Sequence, residues 1–242
     1  MIVPDLMHTL HLGFLGFAVS SLLVLMCRAG VFGASTGNQL EQMKVKLGLR
    51  AYPRFKEFVR RRCIDSSQQR FTPGLIGFAE GTYPDWAGKA MNCRYVAQWL
   101  GVELAQLEGD WALEVELMRN LNDVLDTFHR QPRTVLSEIE RESCHISGHL
   151  AVQAYDVLSK RSLEQQVTLF PLKPKIHVFQ HHLISVRETG IVPEWAFCDE
   201  DFNGRIVKVE THKCHTSTLG SRVALKWSAQ FALQAQDELF SG

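Results

Sequence analysis

The clearest pattern in the chain is a stripe. Trp111, Val115, Met118, Leu121, Leu125 and Phe128 follow one another at three- and four-residue steps between Asp110 and Pro132. That spacing puts all of them on one face of a helix. Asp110 can cap this helix and Pro132 stops it. The same rhythm recurs on both sides. Leu6 to Cys27 holds no Asp, Glu, Lys or Arg, and predicts a core helix that is hydrophobic all round. Gly30 and the run Gly33 to Gly37 then break the pattern. Asn38 to Leu49 predicts a short helix, Pro53 interrupts it, and Arg54 to Arg62 resumes helical spacing with Phe55, Phe58 and Val59 inward. Ser66 to Gly81 reads as loop, with a short extended piece around Phe71 to Phe78. The Pro84-Asp85-Trp86 corner starts another helix, in which Met91, Tyr95, Leu100 and Leu104 fall near helical spacing.

Beyond the stripe, Thr134 to Lys160 predicts a second long helix with Ile139, Ile146, Leu150 and Val157 inward. Thr168 to Lys175 carries two prolines and reads as a linker. Ile176 to Arg187 is helical and Gly190 to Pro193 a turn. Phe202, Ile206 and Val209 share a helix face, and Ser221 to Phe240 predicts a final helix. The sum is a mainly α, multi-helix bundle of about six to eight helices with little strand and no internal repeat.

Composition narrows the function classes. The chain has 242 residues, 45% of them hydrophobic and 21% charged, which suits a packed core. Formal net charge is zero, so there is no global electrostatic case for nucleic acid or membrane binding. Local asymmetry is marked. From Lys44 to Arg62, eight cations (Lys44, Lys46, Arg50, Arg54, Lys56, Arg60, Arg61 and Arg62) face one acid, Glu57. From Glu103 to Asp126, seven acids accompany one base, Arg119. The basic run has the charge and the helical phasing to track a phosphate backbone; a solvated face is the plainer reading. Six cysteines lie far apart with no Cys-x-x-Cys pair, which fits reduced thiols in the cytoplasm or nucleus. Leu6 to Cys27 is also about long enough to span a bilayer, although histidines and serines dilute it. Asp5 stands where a signal peptide would carry basic residues.

Several short patterns carry chemistry. Asp5 and His8, three apart at a helix start, share one face; Asp5 can cap, and His8 can bind the carboxylate, a metal or a phosphate. His177 and His181 have the spacing of two zinc ligands on a helix, with His182 beside them. The residues between them, Val178-Phe179-Gln180, offer no Glu to act as a base, and a half-buried helix that merely carries histidines gives the same pattern. Lys173 and Lys175 upstream allow phosphate contact instead. Cys144-His145 with His149, and His212-Lys213-Cys214-His215, could meet around a metal only if the fold brought them together. Asp199, Glu200 and Asp201 form a carboxylate cluster behind Trp195 and Phe197. Two-metal phosphoryl chemistry needs such groups from several elements, whereas one cluster alone suits a helix N-terminus.

Two of these stretches together resemble a known family. Asp5-Leu-Met-His8, followed by an apolar helix, is similar to the Asp-x-x-His segment of cut-and-paste DNA transposases with an RNase H-like core, the CACTA type in particular. Near the other end, Trp195, Phe197, Glu200, Phe202, Gly204 and Ile206 fall in register with the aromatic-flanked catalytic Glu segment of those transposases. Lys175-Ile-His177 and His181 resemble the Lys/His-rich helix before that Glu. Repeat-derived protist proteins are similar in both segments. The resemblance implies that Glu200 corresponds to a metal-binding catalytic carboxylate and that Asp5 and His8 neighbour or contribute to the metal site, all three as vestiges. The chain begins at the Asp-x-x-His segment and carries no opening strand with the first catalytic Asp. Two-metal phosphodiester hydrolysis is therefore expected to fail, with no cofactor as the chain stands and Mg²⁺ only if the active site were complete.

The expected organisation is a single domain over residues 1–242. It comprises the apolar core helix over 1–31, a helical insertion over 32–170, and C-terminal helices with the acidic cluster over 171–242. The leading expectation is a transposase-derived, catalytically inactive, DNA-associated fragment in the nucleus or cytoplasm, with Lys44 to Arg62 on the phosphate backbone. A helical protein-interaction or scaffold module, a single-span membrane protein and an intact nuclease are its rivals. No small-molecule substrate is evident.

Overall fold

The computed structural model describes residues 5–130 and 135–192. The acidic cluster with Glu200, His212 to His215, Pro132 and the predicted final helix lie outside the described residues. Within them the chain is mainly helical, as the periodicity predicts. The helices are α1 (Leu15–Arg28), α2 (Gln39–Val45), α3 (Tyr52–Arg61), α4 (Ala90–Leu104), α5 (Ala112–Arg130), α6 (Glu138–Glu164) and α7 (Pro174–Thr189).

The apolar N-terminal segment is the centre of the packing. It opens with a wide π-type stretch, Met7–Phe14, and continues into α1. Gly13 kinks the junction (φ −122°, ψ −108°), and a Cβ there would stand 2.9 Å from both the His8 carbonyl and Lys175 Cδ. The kink therefore sits where α7 crosses closely. Leu10, Phe14, Leu15, Val19, Leu22 and Leu23 are fully buried. Several polar residues of the segment find internal partners, although the buried Ser20 hydroxyl has none among the described residues. Ser21 Oγ accepts from the Phe170 amide at 2.9 Å, and His11 Nδ1 lies 3.1 Å from the Ala90 carbonyl. By length and composition Met7–Arg28 could cross a bilayer; in this fold its apolar window is 89% buried among protein.

Pro53 does not interrupt its helix. α2, the π-type stretch Lys46–Ala51 and α3 form one continuous run. The Tyr52 amide bonds to the Leu47 carbonyl, five residues back. That wider turn gives room for the ring of Pro53, which in a regular helix would press on the carbonyl four residues back. It also keeps Met43, Leu47, Ala51 and Phe55 on one buried face despite four-residue spacing, which a regular helix would rotate away. They rest on an aromatic cluster in which Phe55, Phe71 and Trp99 lie 5.2 to 5.9 Å apart.

Phe71 to Phe78 holds no extended piece. Thr72 caps a 3₁₀ turn, Pro73–Ile76, through the Leu75 amide. Gly77 follows in the left-handed region (φ 58°), and a Cβ there would stand 2.7 Å from the Asp85 carbonyl oxygen. Residues 84–87 lie against this turn, with Asp85 and Ala87 amides donating to the Ile76 and Leu75 carbonyls. Those bonds delay α4, which starts at Ala90 rather than at the Pro84 corner.

α5 packs along α6, and α6 along α7, as a chain of neighbours. The α5 stripe is buried at Met118, Leu121, Leu125 and Phe128, joined by Leu117 and Val124. The face of α6 differs from expectation. Ile139 is 82% exposed, Ile146 50% and Val157 44%, and Leu150 is half-buried. The inward face carries Cys144, Gly148, Ala151, Ala154, Tyr155, Leu158 and Ser162. The reason is packing distance. A Cβ on Gly148 would stand 2.3 Å from Leu183 Cδ1, so no side chain fits at that point of the face, and the large residues it carries, Tyr155 and Leu158, lie further along the helix. α6 begins at Glu138, not Thr134, because Ser137 and Glu140 form a reciprocal cap. Gly190, in the left-handed region, ends α7.

Candidate functional site

The basic run is a product of local helix structure. Asn38 and Glu41 cap α2 reciprocally, with bonds of 3.0 and 3.1 Å. Burying Met43, Leu47, Ala51, Phe55 and Phe58 forces the other face outward. On it Lys44, Arg50, Arg54, Lys56, Arg60, Arg61 and Arg62 are all exposed. Lys46 is half-buried and turned away; its Nζ donates to the Cys27 carbonyl at 2.7 Å. There it serves the open C-terminal end of α1, a position favourable to a cation.

Some of these cations are tethered. Glu57 accepts two bonds from Arg60, at 2.9 and 2.8 Å, and one from Arg61 at 2.6 Å. The hydrogen bonds from Arg60 and Arg61 hold its carboxyl down at about 2, so it stays ionised across the ordinary range. Arg54 pairs with Glu103 at 3.2 Å and lies over the Phe32 ring at 5.6 Å. Glu103 is fixed in turn by the Trp99 indole N–H at 3.1 Å. Arg62 covers the Phe58 ring at 5.1 Å. Lys44, Arg50 and Lys56 have no ion-pair partner among the described residues. A cleft of about 530 Å³ opens between α3 and α4, with Arg54, Arg61 and Arg62 on its lip and Phe58 and Trp99 in its wall. Glu57 and Glu103 line the same cleft, so its charge is mixed.

Asp5 and His8 form a compact pair. Asp5 Oδ1 accepts from the Met7 and His8 amides at 2.9 and 3.2 Å, and Oδ2 lies 2.6 Å from His8 Nδ1. Burial pushes the Asp5 carboxyl up, but the His8 ring, the two amides and the nearby imidazole charge outweigh it and hold it below the ordinary value. Both oxygens thus serve a helix cap and a histidine, and a cation at Asp5 must compete with them. Glu200 lies outside the described residues. No group of three or more ligating side chains stands around one point among the described residues.

The fold brings together histidines that lie far apart in sequence. His145 and His149 of α6 and His177 and His181 of α7 line one cleft of about 360 Å³. His177 Nε2 and His181 Nε2 are 3.0 Å apart. Gln153 Nε2 lies 3.0 Å from His149 Nε2. Lys175 is absent from this cleft; its Nζ donates to the Leu12 carbonyl at 3.0 Å. Cys144 faces the core, and burial raises its thiol to about 12, so it is no ligand here.

A further histidine pair escaped sequence reading. His11 Nε2 and His129 Nε2 are 3.1 Å apart in the interior. The Ala90 carbonyl accepts from His11 Nδ1–H, so His11 Nε2 is the acceptor and His129 Nε2–H the donor. Burial lowers His11 to about 4 and His129 to about 3, with Arg94 adding to both. The absence of charge from Leu6 to Cys27 was the available signal that His11 would be buried.

No family model matches the chain, and neither the curated proteins nor the solved structures give a match.

Proposed function

We propose that this chain is a transposase-derived, DNA-associated protein without catalytic activity of its own. It contacts the phosphate backbone through the exposed cations between Lys44 and Arg62, and it works in the nucleus. The observation that carries this reading is the face of the run 39–62, where seven cations stand outward opposite a fully apolar buried side. Lys44, Arg50 and Lys56 are free of intramolecular pairing among the described residues, and Arg60 and Arg61 share one carboxylate. Such groups exchange readily onto phosphates.

The test is a salt titration of duplex binding. The logarithm of the association constant is expected to fall against the logarithm of salt with a slope of roughly −3 to −6, at about 0.9 per phosphate neutralised. Reversing Arg60, Arg61 and Arg62 to Glu is expected to reduce that slope by about one per lost contact. A flat salt response would overturn the reading. Addition of Mg²⁺ is expected to give no strand cleavage; cleavage that vanishes in Glu200→Gln would instead make this a nuclease.

A second reading has its own support. Ile139, Ile146 and Val157 form an exposed apolar row on α6, which suits a protein-interaction or scaffold module. Unchanged duplex affinity in the Arg60/Arg61/Arg62 reversal would favour it.

A further inference from the structure

We propose that the cleft between α6 and α7 binds a divalent transition-metal ion of the zinc type through imidazole nitrogens. His177 and His181 supply the primary pair, and His149 supplies a third ligand from the facing helix. This proposal is independent of the DNA reading, and either can fail alone.

The argument starts from the α7 pair. Four-residue spacing puts His177 and His181 on one face of an exposed helical surface. Their Nε2 atoms stand 3.0 Å apart, with ring centroids 4.5 Å apart and planes at 79°. Nitrogen–metal bonds of about 2.0–2.1 Å imply ligand nitrogens about 2.9 Å apart at a right angle and about 3.4 Å apart at the tetrahedral angle. The observed separation falls between these values. In the metal-free protein one imidazole donates N–H to the other, and a cation would replace that single proton.

The facing helix supplies the rest. His145 and His149 stack with centroids 6.5 Å apart along the other wall of the same cleft. The Gln153 amide donates to His149 Nε2, which makes that nitrogen an unprotonated acceptor, the form a metal requires. His145 Nδ1 is buried without a hydrogen-bond partner among the described residues. As the rings stand, only the α7 pair is at ligand distance, and a third ligand arrives by rotation about the His149 side-chain torsions. The wall it rotates from is fixed. Arg187 forks onto Glu142 at 2.8 and 3.2 Å, and Gly148 against Leu183 sets the helix spacing. No carboxylate lines the cleft, so a hard cation such as Mg²⁺ has nothing to prefer there. Solvent or Gln180 completes the coordination.

The experiment is a titration of the full chain with Co²⁺ read by visible absorption, followed by displacement with Zn²⁺. One strongly bound ion is expected, with bands of nitrogen and oxygen ligation. Replacing His177 and His181 together by Gln is expected to weaken binding by more than ~100-fold, beyond the loss of an outer-shell partner. His149→Gln is expected to weaken it by at least ~10-fold. All three sites are exposed, so each variant is expected to fold, with circular dichroism as the check. Absence of Co²⁺ binding would overturn the proposal. So would binding that survives the His177/His181 double variant. A sulfur-to-cobalt charge-transfer band would likewise overturn it, because it would place the ion on cysteines elsewhere in the chain.

Discussion

α5 and α6 lie along each other and bury opposite kinds of surface. α5 buries Leu117, Met118, Leu121, Val124, Leu125 and Phe128. Beside Tyr155 and Leu158, α6 buries mostly small residues, Cys144, Gly148, Ala151, Ala154 and Ser162, and leaves Ile139, Ile146 and Val157 outside. α5 fills space; α6 lets its neighbours approach. Hydrophobicity identifies an inward face only where the helix supplies the filling. Where a helix is the close-packed partner, steric room decides, and the larger apolar residues can be the ones left exposed.

The largest break in this contrast is Phe128→Ala. It removes a fully buried ring from the filling helix and is expected to cost about 3–5 kcal/mol in urea denaturation. A loss under about 1 kcal/mol would mean that α5 does not fill the core. Next comes Gly148→Ala, which adds a single methyl group at the close approach. It is expected to cost about 1–3 kcal/mol even though Ala favours helix by about 1 kcal/mol. Combined with Leu183→Ala, which clears the clash, the two changes should show favourable coupling of about 1 kcal/mol. Additivity would place the steric limit elsewhere.

The α5 interior also holds His129 against His11. Both stay neutral when folded, with values lowered to about 3 and about 4, so each takes up a proton more readily once unfolded. Their contribution to stability is complete above the unfolded value near 6.5 and is lost as pH falls toward 4. The expected loss is at most about 1.4 kcal/mol per pH unit for each proton bound. Denaturation midpoints that stay level through this window would remove the pair from the account. The smallest effect is on the outer face of α6. Ile146→Gln is expected to change stability by no more than about 0.5 kcal/mol, against a cost of several for any core isoleucine. A cost above 2 kcal/mol would show that something covers this row in solution.

Legibility of the sequence followed the same division. The α5 stripe was readable because six bulky residues share a face that the core needs filled. Leu6 to Cys27 was readable as a core helix because it carries no formal charge. The basic face of 39–61 was readable as charge, but its continuity through Pro53 was not. That continuity depends on a wide turn whose fifth-residue bonding has no sequence mark. Asp5 was readable as a cap with a histidine partner, and the bonds from Met7 and His8 agree. The delay of α4 to Ala90 was not readable, because it depends on bonds to a 3₁₀ turn some ten residues earlier.

The sequence by itself determined the class of the protein and the chemistry available at each position. Periodicity fixes helices, since burial of one face at a 3.6-residue repeat is a local property. Charge clustering fixes where cations must emerge once that face is buried. Only the tertiary structure decided which faces meet. It joined His145 and His149 to His177 and His181, joined His11 to His129, and withdrew Lys46 to the end of α1. Contacts between residues far apart in the chain depend on helix spacing and crossing. Those are set by how all the side chains fill space together, which no single segment encodes.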